Sequence, residues 1–234
     1  MPENKVTILS TRPLDKELIE TAKRKSIRIE TLSFIETEAI DTVEVQQEIE
    51  HSFLQSATVI FTSMNAVEAV GSQLDDQQPD WVIYTMGNTS QELVKEYFGE
   101  ELLGGTASNA TELAELILEE TETDEVIFFC GDQRRDELPD MLRNNDIDVN
   151  EIEVYTTIAT PHRLTKHYEG ILFFSPSAVR SFFSANKAEA QTIFFAIGDT
   201  TASEIKKYTT NKIIIGDEPG KESLVKEAVE FFSE

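Results

Sequence analysis

The chain has 234 residues, 44 of them acidic and 20 basic, for a formal net charge of −24 at neutral pH. That sign argues against nucleic acid or an anionic membrane surface as partner, since both select a basic face. No stretch approaches the roughly 20 uncharged apolar residues that span a bilayer. The apolar share of 40% and charged share of 27% instead fit one large or two medium globular domains. Bulk charge would also oppose an anionic small substrate, so a site for one needs local donors: helix N-termini, hydroxyls and a few arginines.

Met1 to Lys5 carry neither a basic n-region nor an apolar h-region, so the expected compartment is the cytoplasm. The single cysteine, Cys130, excludes an internal disulfide. At the end of the apolar run 126–130 it reads as buried filler. His51, His162 and His167 are scattered, with no spacing for a zinc or iron site, so no metal is expected.

Residues 5–10 read as a first strand, followed by Thr11-Arg12-Pro13 and a helical pattern over 14–25. Residues 27–32 alternate as a second strand and run on through 34–40 without a stop. The amphipathic segment 43–54 offers Val43, Ile49, Phe53 and Leu54 to a core. Strand 58–63 leads into a helix opened by Met64-Asn65-Ala66-Val67, which ends in the polar loop 75–80. Strand 81–86, helix 90–98, the apolar pair Leu102-Leu103, Gly104-Gly105 and helix 110–119 complete the first half.

The second half restarts the series with strand 126–130, the turn Gly131 to Arg135, helix 136–144 and a long strand over 149–158. A turn or short helix at 162–168 precedes strand 171–174, Ser175-Pro176-Ser177 and a helix over 180–183. Strand 193–197, a helix opened by Thr200-Thr201, strand 212–215 and helix 222–232 close the chain. Strands alternating with helices of this length form a parallel sheet covered on both faces.

The halves correspond element for element at a shift of roughly 110–120 residues, far beyond a solenoid period. Each half offers five strands, as in a doubly wound α/β sheet of flavodoxin-like order. The clearest echo is a strand–glycine–hydroxyl–helix junction. It occurs as Gly87-Asn88-Thr89-Ser90 and again as Gly198-Asp199-Thr200-Thr201.

Two such units imply a cleft, with ligands bound beyond the carboxyl ends of the strands. The residues there are Ser10-Thr11-Arg12, Thr62-Ser63, Gly87 to Ser90, Gly131 to Arg135, Ser175-Pro176-Ser177 and Gly198 to Thr201. Taken singly, Ser63, Ser90, Ser177, Thr200 and Thr201 read as N-caps. Their recurrence after the third and fourth strands of both halves makes them an anion-gripping set as well, because a capped helix end keeps free N–H groups. Arg12, Arg134 and Arg135 read as loop arginines able to pair with carboxylates. Tyr155, late in the long strand, is either a packed aromatic or a weak phenolic acid for a leaving group. Asp132 and Asp136 read as loop and helix-start charges. Neither the glycine junctions nor Gly220-Lys221 has the spacing of a P-loop or dinucleotide fingerprint, so no nucleotide cofactor is expected.

Together, Phe61-Thr62-Ser63-Met64-Asn65-Ala66-Val67, Phe174-Ser175-Pro176-Ser177-Ala178-Val179, Ile197-Gly198-Asp199-Thr200-Thr201 and Val154-Tyr155-Thr156-Thr157 resemble the hallmarks of uroporphyrinogen-III synthases. The resemblance runs from Ser10-Thr11-Arg12-Pro13 to the C-terminal helix. It implies a cofactor-independent cyclising lyase of tetrapyrrole and haem biosynthesis. Such an enzyme takes the linear hydroxymethylbilane, expels water, inverts ring D through a spiro intermediate and closes uroporphyrinogen III. By resemblance, Tyr155 matches the family tyrosine that assists departure of the hydroxyl, and Thr201 the family's second-domain threonine. Ser90 stands where threonine is common, and Met64-Asn65 replaces a proline-containing version. The substrate-holding set is then Arg12, Ser63, Thr89, Ser90, Ser175, Ser177, Thr200 and Thr201. The partners implied are hydroxymethylbilane and a transient contact with the upstream hydroxymethylbilane synthase, with the chain a monomer.

The resemblance also changes the expected domains. One comprises 1–36 with 159–234 and the other 37–158, joined by a two-stranded β connector made of the extended runs 27–40 and 149–158, with the active-site cleft between the domains. The rival readings are a non-catalytic cytoplasmic anion-binding or regulatory protein of the same fold, and a nucleotide-sugar or phosphate-handling transferase. The latter lacks its carboxylate–metal signature.

Overall fold

The structure, a computed structural model, describes residues 6–218 and 220–233. Met1 to Lys5, read above for targeting and for the start of the first strand, lie outside the described residues. The chain divides into two compact units: Met1–Glu36 with Ile158–Glu234, and Thr37–Thr157.

The first segment supplies β1 (Val6–Ser10), α1 (Lys16–Arg24) and β2 (Ile27–Thr31). The chain then builds β3 (Ile35–Ala39), α2 (Val43–Phe53), β4 (Ala57–Phe61), α3 (Met64–Gly71), β5 (Trp81–Met86) and α4 (Asn88–Phe98). β6 (Leu103–Ala107), α5 (Ala110–Glu120), β7 (Glu125–Gly131), α6 (Glu137–Arg143) and β8 (Asp148–Ala159) follow. The last segment gives β9 (Gly170–Phe173), α7 (Pro176–Ala185), β10 (Ile193–Ala196), α8 (Asp199–Ile205), β11 (Ile213–Ile215) and α9 (Lys221–Phe231).

The first unit's sheet runs β11-β10-β9-β1-β2, with every pairing parallel. Counted in the unit's own chain order this is 2-1-3-4-5, the flavodoxin-like arrangement. The second sheet runs β3-β8-β7-β4-β5-β6, parallel from β8 to β6. Without β3 its order matches the first, except that the two leading strands, β7 and β8, come last in the chain. The duplication read in the sequence is thus realised with the leading strand pairs exchanged. β1 and β2 complete the sheet of the later strands, while β7 and β8 complete the sheet of the earlier ones.

Both faces of each sheet are covered, so alternate residues of a strand enter different cores. In the second unit, Val59, Phe61, Ile127 and Phe129 pack under α2, α3 and α4, whereas Ile60, Val126, Phe128 and Cys130 pack under α5 and α6. In the first unit, Ile171, Phe173 and Phe194 face α7 and α8, and Ile8, Leu172 and Phe195 face α9. Full burial of each such side chain contributes about 1.5–3 kcal/mol.

The structure departs from the sequence pattern at three places. Residues 27–40 are not one strand. The Leu32 N–H donates to Ser10 O, and Phe34 is fully buried in the first unit's core, so the chain breaks between β2 and β3 into different sheets. On α2 the buried face is Val45, Ile49, Ser52 and Phe53, with spacings of four, three and one. Val43 opens the helix and Leu54 caps its end, both off that face and exposed at 62% and 80%. β6 runs through Gly104-Gly105, because a Cβ at either residue would collide with Val82 or with Leu116.

β8 is unbroken over its 12 residues and neighbours β3. The Ile40 N–H donates to Val154 O and the Thr160 N–H to Phe34 O, a ladder in which one chain ascends as the other descends. The chain passes between the units within these two strands.

Candidate active site

Parallel strands direct their carboxyl ends into loops that open helices, and the crevice forms where strand order reverses. In the second unit that point lies between β7 and β4. β4 ends at Thr62-Ser63, and the Ser63 hydroxyl caps α3 by accepting the Asn65 N–H at 3.2 Å. The same hydroxyl oxygen accepts the Tyr155 phenol at 3.1 Å. A serine oxygen has two acceptor positions and one proton. Both acceptor positions are filled here, so the Ser63 proton is what this residue can offer a ligand carboxylate.

Gly131 explains how the phenol reaches Ser63. A Cβ there would lie 2.3 Å from Tyr155 Cζ, so the ring passes across the end of β7 in space that only a glycine leaves open. Tyr155 is half-buried, its body against the core under α3 and its hydroxyl at the crevice.

The next junction, after β5, has Gly87 as the residue preceding α4, at φ 82°, in the left-handed region that glycine favours. It gives no side-chain cap. Thr89 is exposed, whereas Ser90 is 4% exposed. Its twin behaves alike. Gly198 precedes α8 without a side-chain cap, Thr200 is exposed and Thr201 is 2% exposed. The N-cap reading of Ser90, Thr200 and Thr201 is therefore corrected: glycines hold the cap positions and the hydroxyl residues lie in the first turn. Thr89 and Thr200 are the exposed hydroxyl residues of the two turns, and Ser90 and Thr201 the buried ones.

In the first unit the order reverses between β1 and β9. The buried Thr11 hydroxyl donates to Leu172 O at 2.8 Å and locks the end of β1 to its neighbour. Arg12 is exposed, its guanidinium carbon 5.6 Å from the centre of the Phe174 ring. The ring directs the cation while leaving its N–H fork for a carboxylate. Ser175, immediately after Phe174, is the true N-cap of α7, accepting the Ala178 N–H at 3.2 Å, and lies 3.0 Å from Ser177 through their hydroxyls. Ser177, read as a cap, is inside the first turn.

Arg134 already has carboxylate partners within the chain. Its guanidinium pairs with Asp136 and Glu151, and Glu151 also holds Arg143 at 2.6 Å. Arg135 is exposed on the same turn. Cys130 is buried, and burial pushes its thiol up to about 11, an inert group. No helix among the described residues is long and apolar enough to cross a membrane.

A family model described as uroporphyrinogen-III synthase HemD matches residues 16–226. The chain belongs to the uroporphyrinogen-III synthase family. Solved synthases share its fold. That of Helicobacter pylori aligns at a TM-score of 0.67 with 16% identity, covering 97% of this chain and 99% of that one. A mutant synthase from the extreme thermophile Thermus thermophilus aligns at 0.63 with 12% identity, covering 97% and 98%. Membership in the synthase family makes this chain a uroporphyrinogen-III synthase, a cyclising enzyme of tetrapyrrole biosynthesis with hydroxymethylbilane as the substrate its family implies.

Sequence reasoning placed Ser63 and Tyr155 in separate arguments, and the structure joins them by a hydrogen bond. It missed the part of Gly131, whose signal was a glycine at the end of an otherwise bulky strand. It also took Asp132 for a loop charge, although the Asp132 carboxylate accepts the Thr157 N–H at 2.9 Å and its N–H donates to Tyr155 O at 3.2 Å.

Proposed function

We propose that the chain acts as a hydro-lyase in which the Tyr155 phenol assists loss of the hydroxyl from hydroxymethylbilane, while hydroxyls and Arg12 hold the substrate's carboxylates. The observation that carries this is the Tyr155–Ser63 hydrogen bond at the order reversal of the second unit, made possible by Gly131. The phenol proton passes to the departing oxygen, water leaves, and the terminal ring becomes an azafulvene. The proton is restored when that ring's pyrrole N–H gives up its own. The substituted carbon of ring D then attacks, and the spiro intermediate fragments and recloses with ring D inverted.

The bilane ionises readily and closes unaided to the unrearranged isomer, so orientation and preorganised donors matter more than acid strength. Arg12, Ser63, Ser175, Ser177, Thr89 and Thr200 supply those donors without a metal or organic cofactor, with Ser90 and Thr201 supporting the threonine turns. In this reading the enzyme is a cytoplasmic monomer, its substrate arriving from the upstream hydroxymethylbilane synthase through a transient contact.

The test supplies hydroxymethylbilane, oxidises the products and separates the isomers. The type III isomer should dominate with active protein. Type I alone, at the rate without protein, would sink the assignment.

A further inference from the structure

On β8 the side chains alternate up to a point. Ile152 and Val154 enter the core under α3, while Val149 packs on the opposite face. Strict alternation would send Tyr155 to the Val149 side, away from Ser63. It does not go there. The β7–β8 register slips between Cys130, which faces Glu153, and Gly131, which faces Tyr155. One extra β8 residue is accommodated at this step, and Tyr155 joins Ile152 and Val154 on the same side. A bulge re-aims a side chain in this way, and it is uncommon between parallel strands.

The residue that holds the slipped register is Asp132. Its backbone N–H donates to Tyr155 O at 3.2 Å, and its Oδ1 accepts the Thr157 N–H at 2.9 Å. These two bonds grip β8 on either side of Thr156, immediately after the tyrosine. The Asp132 side chain is exposed and packs in no core cluster, so this grip is its visible structural task.

We infer that Asp132 is a positioning residue for the reaction: it clasps the bulge that turns the Tyr155 phenol onto the crevice. The inference rests on the proposed role of Tyr155 as the group assisting hydroxyl departure. What the clasp needs from Asp132 is an acceptor oxygen, not a charge, and asparagine keeps that oxygen.

The test is a kinetic cycle on the full chain with hydroxymethylbilane, scoring the rate of type III isomer formation for Asp132→Ala, Asp132→Asn, Tyr155→Phe and the double variant Asp132→Ala/Tyr155→Phe. Thermal unfolding of each confirms that it is folded. Tyr155→Phe should lower kcat about tenfold, the low end for a general acid. Asp132→Ala should lower kcat by a comparable ~10-fold with KM changed less than about twofold. Asp132→Asn should stay within about threefold of the parent, and the double variant should be no slower than Tyr155→Phe.

Multiplying losses in the double variant would mean that Asp132 acts elsewhere, and this would overturn the inference. So would a full-rate Asp132→Ala in a protein whose Tyr155→Phe variant is slow, or an Asp132→Asn as slow as the alanine variant. A full-rate Tyr155→Phe, by contrast, removes the role of the tyrosine itself and is recognisable as that separate failure.

Discussion

A tyrosine is tied down in each unit, and the two are held in opposite ways. In the first unit Tyr168 is buried, and its hydroxyl donates to the Glu30 carboxylate at 2.9 Å. Burial first, and then that carboxylate, push its phenol up to about 12. In the second unit the half-buried Tyr155 gives its proton to a neutral serine oxygen at the end of a strand. A phenol bound to a carboxylate in the core is a strut. In the proposed reaction, one parked on a serine at the crevice exchanges that partner for the departing hydroxyl at the cost of one neutral hydrogen bond, about 1 kcal/mol. Under the proposed function the related sheets would carry different tasks: the first a cation, Arg12 over Phe174, and the second a proton on Tyr155.

The contrast breaks most directly at Gly131. Gly131→Ala places a methyl where the Tyr155 ring lies, so formation of the type III isomer should fall at least about tenfold, as for loss of the phenol itself. Steady-state kinetics with isomer separation would measure this, and an unchanged kcat would mean that the ring works from another position. Next in size, Arg12→Ala should raise KM about tenfold while kcat changes less, since an exposed charge-assisted bond to a carboxylate lies at the low end of about 1.5–3 kcal/mol. A fall confined to kcat would put Arg12 in the chemistry and erase the division.

Smaller effects are expected at the twin turns. Thr89→Ala and Thr200→Ala should each raise KM by about fivefold, the loss of one bond of about 1 kcal/mol. If only one of them responds, the twins are not equivalent grips.

The smallest effect concerns the strut. The hydrogen bond from Lys166 chiefly, with help from Tyr168 and against burial, holds the Glu30 carboxyl below the usual range. Ionised Glu30 therefore adds stability that is fully present above its unfolded value and is lost as pH falls through the lower folded value. Melting temperature followed from pH 6 downward should decline less steeply in Glu30→Gln. A parallel decline would leave Glu30 without a part in acid unfolding.

The buried strands were legible because both faces of a doubly wound sheet are covered: Ile193–Ala196 and Trp81–Met86 stand where apolar runs meet a glycine. The break at 32–34 was not legible. Leu32, Phe34 and Ile35 prolong the apolar run with no glycine or proline to stop it; its phase shifts after Ile29, but the partners, Ser10 for one part and β8 for the other, are what assign the two parts to different sheets. β6 was cut short in the reading because its two glycines mark a turn in isolation and a close approach of neighbours in the fold. Ser63 and Tyr155 were each found from position. Their contact depends on a one-residue slip in register, which depends on Gly131 and Asp132 together, and no pattern along the chain records such a pairing.

The exchange of leading strands has a consequence for how the molecule is made. Thr37–Thr157 is contiguous, so every strand from β4 to β8 can pair while the remainder is still being synthesised. β1 must wait: Ile8 pairs with Gly170, a contact of high sequence separation, and until β9 emerges β1 has only β2 beside it. Distant pairings form slowly, and an open strand edge recruits other chains. The arrangement that gives each sheet a borrowed pair of strands thus makes closure of the first sheet wait for the pairing of β1 with β9.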